Sequence, residues 1–161
     1  MSEQKKTYGV AQQNTKNAVA YMRVASSHES DIALQMQKRV IQSLGVQEGY
    51  TIRKFYSDVG SGLNLDREGL TMMQTRIAEG GIDAILTVAF DRISRSHADM
   101  QNFWEFMQET GIDLVSVNEG SFRKCMEAQE SFYGKLLEFA ANGIFNHDEY
   151  EDDESLDDFE P

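Results

Sequence analysis

Hydrophobic positions along the chain alternate between short continuous runs and longer periodic stretches. Residues 18–24, AVAYMRV, form a short apolar run that reads as a buried strand. From Asp31 to Leu44 the pattern becomes helical, with Leu34, Val40, Ile41 and Leu44 on one face and Asp31 as a cap at its start. Residues 50–58, YTIRKFYSD, alternate as a strand, SGLNLD carries turn residues, and Arg67 to Ala78 is helical up to a stop at Gly80-Gly81. The unit then repeats. IDAILTVAF (82–90) is a continuous apolar strand, Ser96 to Glu109 a helix with Met100, Phe103, Phe106 and Met107 inward, and IDLVSVNE (112–119) a fourth strand. A last amphipathic helix, roughly Met126 to Phe145, carries Phe132, Leu136, Leu137, Phe139, Ala140 and Ile144, which either complete the core or form a partner surface.

Strand and helix alternating at this spacing predict an α/β domain with a mainly parallel sheet covered on both faces. Such sheets place their sites in the loops that follow the carboxyl ends of the strands. Residues 1–16, rich in Gln, Lys, Asn and Thr without periodicity, read as an arm before the domain.

The length of 161 residues suits one domain with tails. The formal charge of -12 is uneven: the last fifteen residues, HDEYEDDESLDDFEP, hold nine acids and no Lys or Arg, so the rest of the chain stands near -3. An acidic balance argues against a free-standing, high-affinity nucleic-acid binder, because phosphate contacts require clustered Lys and Arg, but it leaves room for a local basic site. The tail reads as a solvated end, or more sharply as a mimic of DNA phosphates that folds back onto arginines. Cys125 stands alone, which fits a reducing cytoplasm and neither a disulfide framework nor a metal cluster. No apolar run reaches a membrane-spanning length and the polar start has no signal-peptide core, so a cytoplasmic protein without membrane partners is expected. His28 and His97 lack ligand partners at suitable spacing, and no metal or cofactor is expected.

Three strand-end loops carry conspicuous polar residues: Tyr21, Arg23, Ser26 and Ser27 in the first; Asp58, Ser61, Gly62, Asp66 and Arg67 in the second; Asp91, Arg92, Ser94 and Arg95 in the third. Four arginines converging on one point suit a phosphodiester, since each planar fork binds two oxygens and stabilises the extra charge of a pentacovalent transition state. Taken alone, the third loop reads equally well as solvated charges at a helix start. Its occurrence with the other two favours a site.

With AYMRV, Gln37, YSDVGSGLNLDREGL, GGIDAILTVAFDRISRS and GIDLVSVNE in this order and spacing, the chain resembles the catalytic domain of serine site-specific recombinases, the resolvase and invertase family, over roughly residues 17 to 140. The elements D-x-G-S-G-x-x-x-D-R (Asp58 to Arg67) and D-R-x-S-R (Asp91 to Arg95) are specific when they occur together. The resemblance implies a resolvase-like three-layer α/β domain over 17–146 with a four- to five-stranded sheet and a dimerisation-type C-terminal helix. Where the family continues toward a DNA-binding domain this chain departs, entering an acidic tail over 147–161 with no DNA-binding module expected behind it. It implies DNA strand exchange through a 5′-phosphoserine intermediate, DNA as partner, and dimers with itself or with a related recombinase.

Carried over residue by residue, Tyr21 and Arg23 match the first motif, Arg67 the arginine after the mobile loop, and Arg92 and Arg95 the pair on the scissile phosphate. Asp91 matches an aspartate linked to proton transfer, and Gln37 and Asp58 match supporting polar positions. The nucleophile position is Ala25, whose methyl has no lone pair with which to attack. Ser26 is the obvious substitute, yet adjacent residues at a strand exit point in different directions. Near the end, AANGI (Ala140 to Ile144) replaces the family's Glu-Arg pair, and Gly143 is expected to interrupt the helix. Three functions follow: a recombinase working through Ser26 or Ser27, an inactive domain that modulates an active recombinase through protein contacts or weak DNA binding, and a small phosphate-ligand-binding domain.

Overall fold

The computed structural model describes residues 15–28, 30–63 and 66–145, with only the backbone described at 139 and 142–145. The expected arm, except its last two residues, and the acidic tail lie outside the described residues. The chain forms two compact units, residues 1–123 and 124–161.

In the first unit, β1 (Lys16–Val24), β2 (Tyr50–Val59), β3 (Ala84–Thr87), β4 (Asp113–Ser116) and β5 (Gly120–Ser121) form one sheet in the order β2-β1-β3-β4-β5. The first four strands are parallel and β5 runs antiparallel to β4. β1 lies inside the sheet and is buried from Ala18 to Val24, which is why its sequence is almost uninterruptedly apolar. β2 is an edge strand, and Arg53 and Lys54 at its middle are exposed.

Side-chain alternation along β1 feeds two cores. Val19 and Tyr21 pack with Leu70, Met73 and Ile77 of α2 (Glu68–Ala78) and with Phe103 and Met107 of α3 (His97–Thr110). Ala18, Ala20 and Met22 pack with Ile41 of α1 (Ser30–Glu48) on the other face. α1 approaches β2 closely at Gly45, where a β-carbon would meet Ile52 Cδ1 at 3.0 Å.

Several boundaries differ from the sequence pattern. Val40 is 42% exposed while Ile41 is fully buried, because one residue is 100° of helix rotation and the inward stripe runs through Leu34, Ile41 and Leu44. The expected strand 82–90 pairs only over Ala84–Thr87, and Phe90–Arg92 wind into a 3-10 turn. The expected strand 112–119 ends at Ser116, and the chain turns through a left-handed Gly120 into β5. Ser96 caps α3 by accepting from the Asp99 amide rather than opening the helix itself, and Gly111 in the left-handed region closes it. Trp104 packs against Phe122 and lines the core, as its helical spacing implies.

Helix α4 (Phe122–Phe145) begins at the end of the first unit and forms the described part of the second. It continues through Gly143 to Phe145, so the expected interruption is absent: one glycine costs about 1 kcal/mol, too little to break a helix of this length. Phe132, Leu136 and Leu137 are 50–71% exposed.

Candidate active site

The carboxyl ends of β1 and β2 and the turn after β3 meet around Arg23. Its side chain is completely buried, and its guanidinium donates from Nε to the Arg92 carbonyl (3.1 Å), from Nη1 to the Gly60 carbonyl (2.8 Å) and from Nη2 to the Asp91 carbonyl (3.0 Å). Gln37 of α1 grips the Arg23 backbone from both sides, accepting from its amide (3.3 Å) and donating to its carbonyl (3.0 Å). Burial, then the neighbouring Arg92, Arg67 and Arg95, lower the Arg23 pKa below the usual arginine value.

A second chain of bonds runs through Tyr21. Its hydroxyl donates to Asp58 Oδ2 (2.8 Å) and accepts from Arg67 Nη1 (2.6 Å). The Asp58 carboxylate also takes the amides of Gly69 (2.8 Å) and Leu70 (2.9 Å), so it caps α2 from outside the helix while fixing the tyrosine. Burial and the bond to Asp58 raise the Tyr21 pKa, keeping the phenol neutral. Arg67 donates further to the Arg92 carbonyl (3.0 Å) and to the Ile93 carbonyl.

The outer pair differs. Arg92 is half-buried, donating from Nη1 to the Arg23 carbonyl (2.9 Å) and from Nε to Asp91 (3.0 Å), and this bond chiefly holds the Asp91 carboxyl below its ordinary range. Arg95 is exposed, and its side chain makes no ion pair among the described residues. Its backbone amide donates to the Gly62 carbonyl (2.7 Å), which also accepts from Ser94 Oγ (3.2 Å). Gly62 has to be glycine, since a β-carbon there would lie 2.6 Å from Arg23 Nη2. Thus the two motifs D-x-G-S-G and D-R-x-S-R are pinned to each other and to β1.

Ala25, Ser26, Ser27 and His28 form the exposed turn after β1, immediately beyond this frame. Ser61 is also exposed, its hydroxyl accepting from the Leu63 amide, and His97 and Asp66 lie at the surface. Among the described residues no His, Cys, Asp and Glu group is arranged to hold a metal ion.

One supporting group was missed by the motif reading. Glu119 accepts from the Phe90 amide (3.3 Å) and from the Ser116 hydroxyl, while Ser116 Oγ accepts from the Glu119 amide (2.8 Å). This ties the end of β4 to the turn that carries Asp91 and Arg92. The S-x-x-E spacing, typical of a reciprocal cap, was the available signal.

The family model for the resolvase N-terminal domain matches residues 18–149. The chain belongs to the resolvase family. It is 31% identical to the transposon Tn3 resolvase of Escherichia coli over 100 residues, which cover 62% of this chain and 49% of that protein. A resolvase/recombinase of Pseudomonas putida is 28% identical over 100 residues, covering 62% and 50%. The matched stretch thus spans about half the length of these curated relatives.

Among solved structures, the C-terminal catalytic domain of ISC1926 TnpA, an IS607-like serine recombinase, aligns with a TM-score of 0.58 at 26% identity, covering 74% of this chain and 84% of that one. The N-terminal catalytic domain of TP901-1 integrase shares the fold, with a TM-score of 0.62 at 22% identity over 79% and 98% of the two chains. This resolvase-family chain therefore carries a serine recombinase catalytic domain with its five-stranded, mainly parallel sheet. No described helix is long and apolar enough to cross a membrane.

Proposed function

We propose that this chain is a catalytically impaired serine recombinase domain: it keeps the phosphate-facing frame of a DNA strand-exchange enzyme and lacks the attacking hydroxyl. The observation that carries the reading is the position of Ala25. It is exposed at the exit of β1, two residues beyond the buried Arg23, where family members present the serine.

In this reading the arginines divide their work. Arg23 and Arg67 give their donors to backbone carbonyls and hold the three loops together, whereas Arg92 and Arg95 form the outer edge that meets a DNA phosphate. Asp91, held anionic by Arg92, is a weak proton acceptor and serves mainly to orient that arginine. Tyr21, Gln37 and Asp58 support the frame.

With a near-neutral body and an acidic end, the domain binds DNA weakly alone and acts in the cytoplasm within dimers, with itself or with a related active recombinase, in which it contributes a subunit that cannot cleave. The exposed Phe132, Leu136 and Leu137 of α4 support such pairing.

The test is a labelled suicide DNA substrate with family-type crossover dinucleotides, resolved on a denaturing gel. The unmodified chain is expected to give no covalent adduct, and Ala25→Ser to restore one. An adduct with the unmodified chain, abolished by Ser26→Ala, would instead assign the attack to Ser26.

A further inference from the structure

Helix α1 covers one face of the sheet, yet its outward face is not the polar surface expected of a covering helix. Ile32 and Met36, one turn apart, are 67% and 64% exposed and line a shallow concavity with Asp31, Gln35 and Arg39. Isolated exposed apolar residues are ordinary, but two adjoining ones framed by opposite charges form a patch. Asp31 and Arg39 stand eight residues apart, about 12 Å along the helix, which is beyond ion-pair reach. Neither forms an ion pair among the described residues.

This pattern is self-complementary. Asp31 and Arg39 lie four residues on either side of Gln35. A two-fold axis at Gln35, with the helices antiparallel, sets Asp31 of each copy against Arg39 of the other and brings Ile32 and Met36 of both together between the two ion pairs. A parallel arrangement in register opposes like charges instead. Isologous contacts of this kind need only one patch, used twice.

We propose that the outward face of α1 is a self-association surface, occupied by α1 of a second copy in antiparallel orientation. It uses none of the α4 residues named above and is independent of whether Ala25 disables the chemistry. Five side chains a side make a small contact, below the roughly 1,200 Å² of a stable complex, so it strengthens assemblies already gathered by another contact rather than creating dimers in dilute solution. Because Gln37 on the same helix holds the Arg23 backbone, docking here bears on the element that supports the site.

The experiment uses the full chain carrying Cys125→Ser, which removes the exposed native thiol. Gln35→Cys lies on the proposed axis, where helices packed about 8–10 Å apart bring two β-carbons within disulfide reach. Val46→Cys is the control: Val46 is 85% exposed but lies outside the antiparallel overlap. Under mild oxidation Gln35→Cys is expected to form the linked dimer several-fold faster than Val46→Cys. Adding Asp31→Arg or Arg39→Asp slows the linkage, and adding both restores it, with thermal melts checking that each variant folds. Equal rates for the two cysteine variants overturn the proposal, as expected for random collision or for a different protein as the occupant. Single charge reversals without effect, or a double reversal that fails to restore the rate, overturn it as well.

Discussion

The inner and outer halves of the arginine cluster are alike in residue type and opposite in circumstance. Arg23 is completely buried and its three donating nitrogens are each bonded to a carbonyl, while Arg95 is exposed and, among the described residues, hydrogen-bonded through its backbone alone. Four guanidinium groups in one place thus differ in how many of their donors are already bonded within the protein. A buried fork that satisfies carbonyls from two loops is a structural clamp.

The most severe way to break this comparison is Arg23→Met, which leaves the carbonyls of Gly60 and Asp91 without their guanidinium donor and the Arg92 carbonyl with Arg67 alone. At about 1–3 kcal/mol for each stranded buried group, the loss reaches a large part of a small domain's stability, and urea melts should show an unfolded or molten chain. Arg23→Lys should not rescue it, since a single ammonium cannot span three separated carbonyls. Preserved stability in either variant would remove the clamp from the account.

Next in size is Asp58→Ala, which strips the acceptor from Tyr21 and from two amides at the start of α2. A loss of about 2–4 kcal/mol in chemical denaturation is expected, larger than that of an ordinary helix cap because a buried hydroxyl loses its acceptor too.

The tyrosine sharpens the same point through pH. The Tyr21 pKa is raised in the folded chain, so its contribution is fully present below the ordinary tyrosine pKa and is lost as pH rises past it, because the unfolded chain then ionises first. Stability should therefore fall above pH ~10, the unperturbed tyrosine value. In Tyr21→Phe that fall should be shallower by about one proton, leaving the part due to Tyr50 and Tyr56, which shift in the same direction. An unchanged alkaline slope would place the ionising group elsewhere.

Smallest in stability is Arg95→Ala, with a change of about 0.5 kcal/mol or less, as for other exposed positions. Its effect should appear in DNA binding, where the salt dependence of the association constant is expected to flatten by about one phosphate contact. A large loss of stability with unchanged salt dependence would reverse the assignment of inner and outer roles.

Much of this was readable residue by residue. The run from Ala18 to Val24 announced a buried strand because a strand inside a covered parallel sheet has no solvent side to keep polar. The spacing of Phe103 and Met107 placed them in the core through helical periodicity alone. The motifs around Asp58 and Asp91 marked the loops that meet around Arg23 and, with the resemblance they carry, the family. Less was readable at element ends. Val88 to Phe90 continue an apolar run, but the chain leaves the sheet after Thr87 because the 3-10 turn is held by contacts from elsewhere, among them Glu119 on the Phe90 amide. The glycine at 143 looked like a break, and the helix passes through it.

What the sequence by itself determined was local and chemical: which stretches are strands or helices, which loops carry guanidinium and carboxylate groups, and that the exit of the first strand holds an alanine at position 25. Those follow from periodicity and side-chain chemistry, which travel with the residue. Only the tertiary structure decided which arginines face inward, that Asp58 caps a helix ten residues further on, and that the face of α1 bearing Ile32 and Met36 lies outward. Burial and hydrogen-bond partners depend on what other segments bring to the same point, and no window of the chain contains that information.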